Sequence, residues 1–236
     1  MKALILDRTL YYKADLPTQA ELAEHLNVSI KVVSDAYEQL VQERYIKIKN
    51  NSYRVSYIEL TNYFFDRNTA IYDAVIALGL TPSIECLSKK VVTLDKEAML
   101  KMGFSDSPDR KFFYINRLYY GDNQPIIILE NYLPLHIFPG IELDFKGYEP
   151  LNDYINTHYG FKAALSKRVT KAVNLSQKIA GLLNERTNAA SIQSTNKIYD
   201  SLGRMIDYGR SFSISSYYFQ ALISKDERDE YLKNAN

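Results

Sequence analysis

The stretch from Leu16 to Ser56, LPTQAELAEHLNVSIKVVSDAYEQLVQERYIKIKNNSYRVS, constrains this chain most, because it spells two short helices and a hairpin with almost no room between them. Pro17 suits a chain turning into a helix, and Thr18 with Glu21 three residues on has the form of a capping box. Leu22, Ala23 and Leu26 fall on one face of that helix, and Asn27 can take the left-handed conformation that ends it. Ser29 offers a second cap two residues later. From Ile30, the apolar positions Val32, Val33, Ala36, Tyr37, Leu40 and Val41 follow helical spacing to about residue 44, leaving Lys31, Ser34, Asp35 and Glu38 on the exposed face. Tyr45-Ile46-Lys47-Ile48-Lys49 and Tyr53-Arg54-Val55-Ser56 each alternate apolar and polar around the turn residues Asn50-Asn51-Ser52, which predicts a hairpin. Two helices with a turn too short for antiparallel packing, then a hairpin, predict an N-terminal winged helix-turn-helix. Its second helix would be the recognition helix in the major groove of double-stranded DNA, and the hairpin its wing.

Charge qualifies that reading. Residues 1–56 hold eight Lys/Arg against seven Asp/Glu, a small excess for a domain whose affinity should come from neutralising phosphates. Arg44, Lys47, Lys49 and Arg54 follow one another without an intervening acid, so the wing carries the basic footprint, although a solvated hairpin face would look the same. Upstream, Met1 to Lys13 predicts a short apolar helix at most.

Composition bounds the rest. A chain of 236 residues with 46% hydrophobic residues and a net charge of +1 has the length for one small and one larger domain. No apolar run reaches the length of about 20 residues that spans a bilayer, and Asp7 and Arg8 interrupt the first apolar stretch, so neither a membrane partner nor a signal peptide is expected and the compartment is the cytoplasm. One cysteine, Cys86, and three scattered histidines exclude an internal disulfide and predict no metal site. No Ser or Cys motif has a His nearby, no Gly-rich phosphate loop appears and no paired carboxylates are suitably spaced, so no catalytic residue and no cofactor is expected.

After Ser56 the chain predicts a linker and a helix through Leu78, stopped by Gly79 and Pro82. Strands follow at Ile84–Leu94, Lys111–Tyr120 and Ile126–Tyr132, with helices at 95–102 and 152–159. A similar set then recurs: strand 166–175, helix 176–183, strand 191–199, a turn at Leu202-Gly203-Arg204 and strand 206–219. Leu94 and Leu175 lie 81 apart, and Pro125 and Met205 lie 80 apart. That offset suggests a duplicated strand, helix and hairpin unit folded into one antiparallel sheet, with a pocket where the halves meet; chance similarity of two α+β segments is the alternative. Twenty tyrosines, including Tyr119-Tyr120 and the run 217–219, could line such a pocket or simply serve as strand residues.

Leu-Pro-Thr-Gln-Ala-Glu-Leu-Ala, then Asn-Val-Ser and a helix ending before Tyr45-Ile46, resembles the N-terminal domain of GntR-type bacterial transcriptional regulators. Ser29 is retained, whereas Ile30 and Ser34 stand where the family carries arginines, and Gln19 and Ala20 replace the Glu and frequent Arg of the first motif. The resemblance makes Thr18, Gln19, Ser29, Lys31, Ser34, Lys47, Lys49 and Arg54 the DNA-binding candidates. Phe113-Tyr114-Ile115-Asn116-Arg117-Leu118-Tyr119, Glu130-Asn131-Tyr132-Leu133-Pro134, Phe138-Pro139-Gly140, Tyr159-Gly160 and Gly203 to Ser211 resemble the UTRA effector-binding domain of the HutC branch of that family, whose fold is similar to chorismate lyase.

That second resemblance implies an α+β domain with an antiparallel sheet and an effector site built from Arg117, Tyr119, Tyr132, Asp207, Ser211 and Ser213. Arg117 could pair with a carboxylate or phosphate. Tyr119 replaces a second Arg, Asp207 a Glu, Ser213 a Tyr, and Leu129 stands where a Glu is expected, so a phosphosugar effector does not carry over. A structural ion pair is the other reading of Arg117 and Asp207. The expectation is a one-component repressor divided into a DNA-binding domain (1–57), a linker (58–71) and an effector-binding domain (72–236). It would act as a homodimer on a pseudo-palindrome, its operator binding modulated by a small molecule. The alternative is a ligand-binding dimer on the same scaffold that has lost specific DNA binding.

Overall fold

A computed structural model describes residues 1–6, 9–43, 45–50, 52–57, 71–77, 79–105 and 107–215. Residues 58–70 of the expected linker, Arg44 and the aromatic run 217–219 lie outside them, while Ile71, expected to end the linker, opens a helix. The chain forms two compact units, Met1–Glu59 and Leu60–Asn236.

In the first unit, α1 (Lys2–Leu6) is followed by α2 (Gln19–Leu26) and α3 (Ile30–Gln42), then by β1 (Ile46–Lys49) and β2 (Ser52–Val55) in antiparallel register. The capping box is present: the Thr18 hydroxyl accepts from the Glu21 N–H at 3.2 Å, and Glu21 Oε2 accepts from the Thr18 N–H at 2.8 Å. Asn27 ends α2 at φ 53°, and Ser29 caps α3. Val33, Tyr37 and Leu40, spaced four and three apart, turn inward to meet Ile5, Leu16, Ala23, Ile46 and Val55. Val32 and Ala36 are exposed, contrary to the sequence expectation. One helical step of about 100° separates each from its buried neighbour, and the stripe needs only one residue per turn.

The second unit holds α4 (Ile71–Ala77), β3 (Pro82–Thr93), α5 (Lys96–Met102), β4 (Lys111–Gly121), β5 (Gln124–Pro134), α6 (Ile141–Asp144), α7 (Leu151–Tyr159), β6 (Leu165–Asn174), α8 (Gln177–Leu182), β7 (Ala190–Tyr199) and β8 (Met205–Ser213). The six long strands make one sheet of order β3-β4-β5-β8-β7-β6, with every neighbouring pair antiparallel. That order is a palindrome in which β3-α5-β4-β5 and β6-α8-β7-β8 are the two halves. At the junction Leu129 pairs with Ser211 and Asn131 with Gly209, so an offset of 80 residues maps each of these pairs onto the other. The sheet therefore carries the duplicated topology that the sequence spacing suggested.

One face of the sheet packs Phe113, Ile115 and Leu133 against Phe138, Ile141, Phe145, Leu151, Tyr154 and Ile155 from the segment containing α6 and α7. The other packs Phe112 and Met205 against Met99 of α5 and Phe104. The single turn α6 was not anticipated, since four residues show no periodicity.

Candidate functional site

Strand parity decides what meets inside the sheet unit. Arg117 and Tyr119 on β4, Leu129 and Asn131 on β5, and Asp207 and Gly209 on β8 share one face. Across the junction, Asn196 and Ile198 of β7 and Ser166 and Arg168 of β6 continue it. With Ile71 and Tyr72 of α4 and Pro150, Leu151 and Asn152 at the start of α7, these residues line a cavity of about 80 Å³ that draws on both halves of the sheet.

Arg117 is the cavity's central cation and is only 1% exposed. Its Nη2 donates to Asn131 Oδ1 at 3.0 Å and its Nη1 to the Glu149 carbonyl at 3.4 Å, while Nε has no hydrogen-bond partner. The guanidinium carbon lies 5.3 Å from the Tyr119 ring centre and 5.8 Å from that of Phe145, so aromatic faces supply part of its solvation. Asn131 turns its amide nitrogen to Asp207, donating to the two carboxylate oxygens at 3.0 and 2.9 Å. Burial pushes the Asp207 carboxyl up to about 6, against the opposing pull of the Asn131 amide and the Arg117 charge. Burial likewise raises the Tyr119 phenol. Arg168 Nε donates to Asn196 Oδ1 at 2.6 Å on the far wall. The cavity thus offers guanidinium donors, amides and a carboxylate beside apolar walls, a set suited to holding a small polar molecule in one orientation.

The structure brings Arg117, Tyr119 and Asp207 together, as the sequence suggested. It does not bring Tyr132: even-numbered residues of β5 project from the opposite face, where Tyr132 meets Tyr114 and Tyr208 at ring separations of 5.0 and 6.1 Å. Ser211 shares the cavity face but sits between Leu129 and Ser194 in the sheet register rather than in the lining. Ser213 is buried and donates to the Ile192 carbonyl at 3.3 Å. Asn131, Arg168 and Asn196 were not anticipated. Asn131 was within reach of period-two counting from Leu129, whereas Arg168 and Asn196 required the strand order.

In the first unit, several DNA-binding candidates are engaged internally. Gln19 Nε2 donates to the Tyr53 hydroxyl at 2.9 Å and to Ser34 Oγ at 3.5 Å, tying α2 to the hairpin and to α3. Arg54 forms a two-pronged pair with Asp15 at 2.6 and 2.8 Å. Thr18 and Ser29 are helix caps, and Lys31 lies 3.8 Å from Asp35 one turn on. Lys47 and Lys49 stand on β1, with Lys49 exposed. Among the described residues, no helix is long and apolar enough to cross a membrane, and no group of three His, Cys, Asp or Glu could hold a metal.

Comparison with known proteins places this arrangement. The chain is 24% identical to the HTH-type transcriptional regulator YurK of Bacillus subtilis over 221 residues, 87% of each protein. It is 22% identical to the mannosyl-D-glycerate transport/metabolism system repressor MngR of Escherichia coli over 218 residues, 89% of this chain and 87% of that one. In fold it is similar to PhnF from Mycobacterium smegmatis, with a TM-score of 0.65 at 18% identity across 93% of this chain and 97% of that one. It is also similar to YydK from Bacillus subtilis, with a TM-score of 0.58 at 15% identity across 94% and 95%. The UTRA domain model matches residues 77–218, the stretch that builds all six strands and the cavity floor. The chain belongs to the UTRA-domain family.

Proposed function

We propose that this protein is a bacterial one-component transcriptional regulator of the GntR type, in its HutC branch. In this reading it acts in the cytoplasm as a homodimeric repressor whose operator binding answers to a small molecule held at Arg117 and Asp207. The observation that carries the reading is the pairing, in one chain, of a capped two-helix and hairpin unit with a polar cavity inside a UTRA sheet. The first unit, residues 1–57, serves as a winged helix-turn-helix with α3 as its recognition helix and β1-β2 as its wing. Residues 58–70 link it to an effector domain that begins with α4 at Ile71 rather than at residue 72 and whose fold is similar to chorismate lyase. Relatives of matching length named as transcriptional regulators or repressors support the same reading.

Effector binding in the cavity would act through its differential affinity for two arrangements of the dimer. Coupling of about 1–3 kcal/mol gives a 5–150-fold change in operator affinity. The test is binding of the full chain to a labelled duplex from its own upstream region, against a scrambled duplex, across a salt titration. Preference for its own sequence with a steep salt slope is the expected result; equal, feeble binding to both would refute it.

The internal engagement of Arg54 with Asp15 and of Lys31 with Asp35 favours a second reading, a ligand-binding dimer on the same scaffold without specific DNA binding. The scrambled-duplex comparison separates the two.

A further inference from the structure

The exposed face of α3 has an unusual makeup for a surface meant to meet DNA. Lys31 is its one basic residue, and that charge is paired with Asp35. Gln39 donates to Glu43 at 2.9 Å, and Ser34 accepts from Gln19. The remaining exposed side chains in the first half of the helix are Ile30 and Val32, each 56% exposed, and Ala36. Leu26 at the end of α2 and Val28 in the turn are 56% and 42% exposed, and Ile48 on the hairpin is 61% exposed. Single apolar residues on a surface are ordinary, but here four exposed apolar side chains, Leu26, Val28, Ile30 and Val32, fall within seven residues at the end of α2, the turn and the first turn of α3. In a helix-turn-helix, the N-terminal residues of the second helix are those that reach base edges. The base edge that rewards an apolar side chain there is the 5-methyl group of thymine. Lys49 on the hairpin is exposed and offers phosphate attraction without sequence information.

We propose that α3 reads its operator through apolar contacts of Ile30 and Val32 with thymine methyl groups, so that each half-site is specified by thymine rather than by guanine. This rests on the reading of α3 as a recognition helix. The occupant is duplex DNA, because Ile30 and Val32 stand in the first turn of α3, the end of a recognition helix that meets base edges, in a unit whose hairpin exposes Lys49 to phosphate.

The experiment selects preferred duplexes from a random pool with the full-length protein, then replaces each thymine of the selected half-site with deoxyuridine, which removes only the methyl. Binding should weaken about fourfold at one or two positions, the worth of one buried methyl group. Ile30→Ala or Val32→Ala should abolish the penalty at its own position while leaving the salt slope unchanged. A selected sequence bound equally well with deoxyuridine throughout would overturn the thymine readout and leave the DNA-binding reading standing. Failure to select any sequence would overturn both. If I30S/V32S changes the oligomeric state instead of the deoxyuridine penalty, the patch belongs to a contact between copies of this chain and the proposal fails.

Discussion

Arg117 and Asp207 face one cavity on adjacent parts of the sheet, yet they communicate through a single amide: Asn131 accepts from the guanidinium and donates to both carboxylate oxygens. The charges therefore neutralise each other only partly, and each keeps bonding capacity for a ligand. Removing the bridge should be costly. Asn131→Leu leaves a buried cation and a buried carboxylate each short of a partner, and should lower stability by about 2–4 kcal/mol in urea unfolding. Asn131→Ser, which keeps a donor and an acceptor, should recover part of that loss.

The Asp207 carboxyl gives the effector domain a pH signature. Burial holds its folded value at about 6, above the ordinary 3.8, so the native state binds the proton more tightly than the unfolded chain does. Its contribution to stability is fully present below about pH 4 and is lost as the pH rises through about 6, an effect of at most about 3 kcal/mol. Asp207→Asn should flatten this decline. Urea midpoints of the two proteins measured from pH 4 to 7 should converge at the acid end and separate at the neutral end; parallel curves would show that Asp207 titrates normally.

Lys49 and Arg54 should behave differently although both belong to the basic hairpin. Lys49→Ala should leave stability nearly unchanged and reduce the slope of log affinity against log salt by about 0.9. Arg54→Ala breaks the two-pronged pair with Asp15 and should cost about 1 kcal/mol in the first unit with little change in that slope.

Gly147 supports the cavity from the loop before α7. Its φ is +98°, and a Cβ there would lie 2.9 Å from Cys86 Sγ and 3.1 Å from Ile115 Cδ1. Gly147→Ala should therefore destabilise the effector domain by about 1–3 kcal/mol. It should also weaken ligand binding, because Glu149, two residues on, lends its carbonyl to Arg117. Cys86→Ala in the same background should relieve part of both effects.

Local chemistry makes much of this fold legible in the sequence. Thr18 with Glu21, Asn27 and Ser29 announce the ends of two helices because a cap is satisfied by neighbours a few residues away. The repeated half was visible as an offset of 80–81 because the two halves keep spacings between strand, helix and turn that differ by a single residue. The cavity was only partly legible. Arg117 and Asp207 were found through motif resemblance, but the same motif pointed to Tyr132, one residue out of phase with the face that Asn131 occupies. Arg168 and Asn196 join the site through the pairing of β6, β7 and β8, a non-local fact that local pattern does not carry. Gln19 and Arg54 show the converse: side chains of the right type for a DNA surface can be consumed by contacts within the unit itself.

The palindromic strand order has a consequence for how a ligand can sit. Were the two halves still identical in sequence, the cavity would present matching walls, and a bound molecule could enter in either of two equivalent poses. Divergence has removed that degeneracy: the strand register equates Arg117 with Asn196 and Asn131 with Ser211, and only one member of each pair belongs to the charged cluster. The two walls now differ in chemistry, with the Arg117–Asn131–Asp207 cluster on one and Arg168 with Asn196 on the other, so that a guest with distinct ends has a single way to lie.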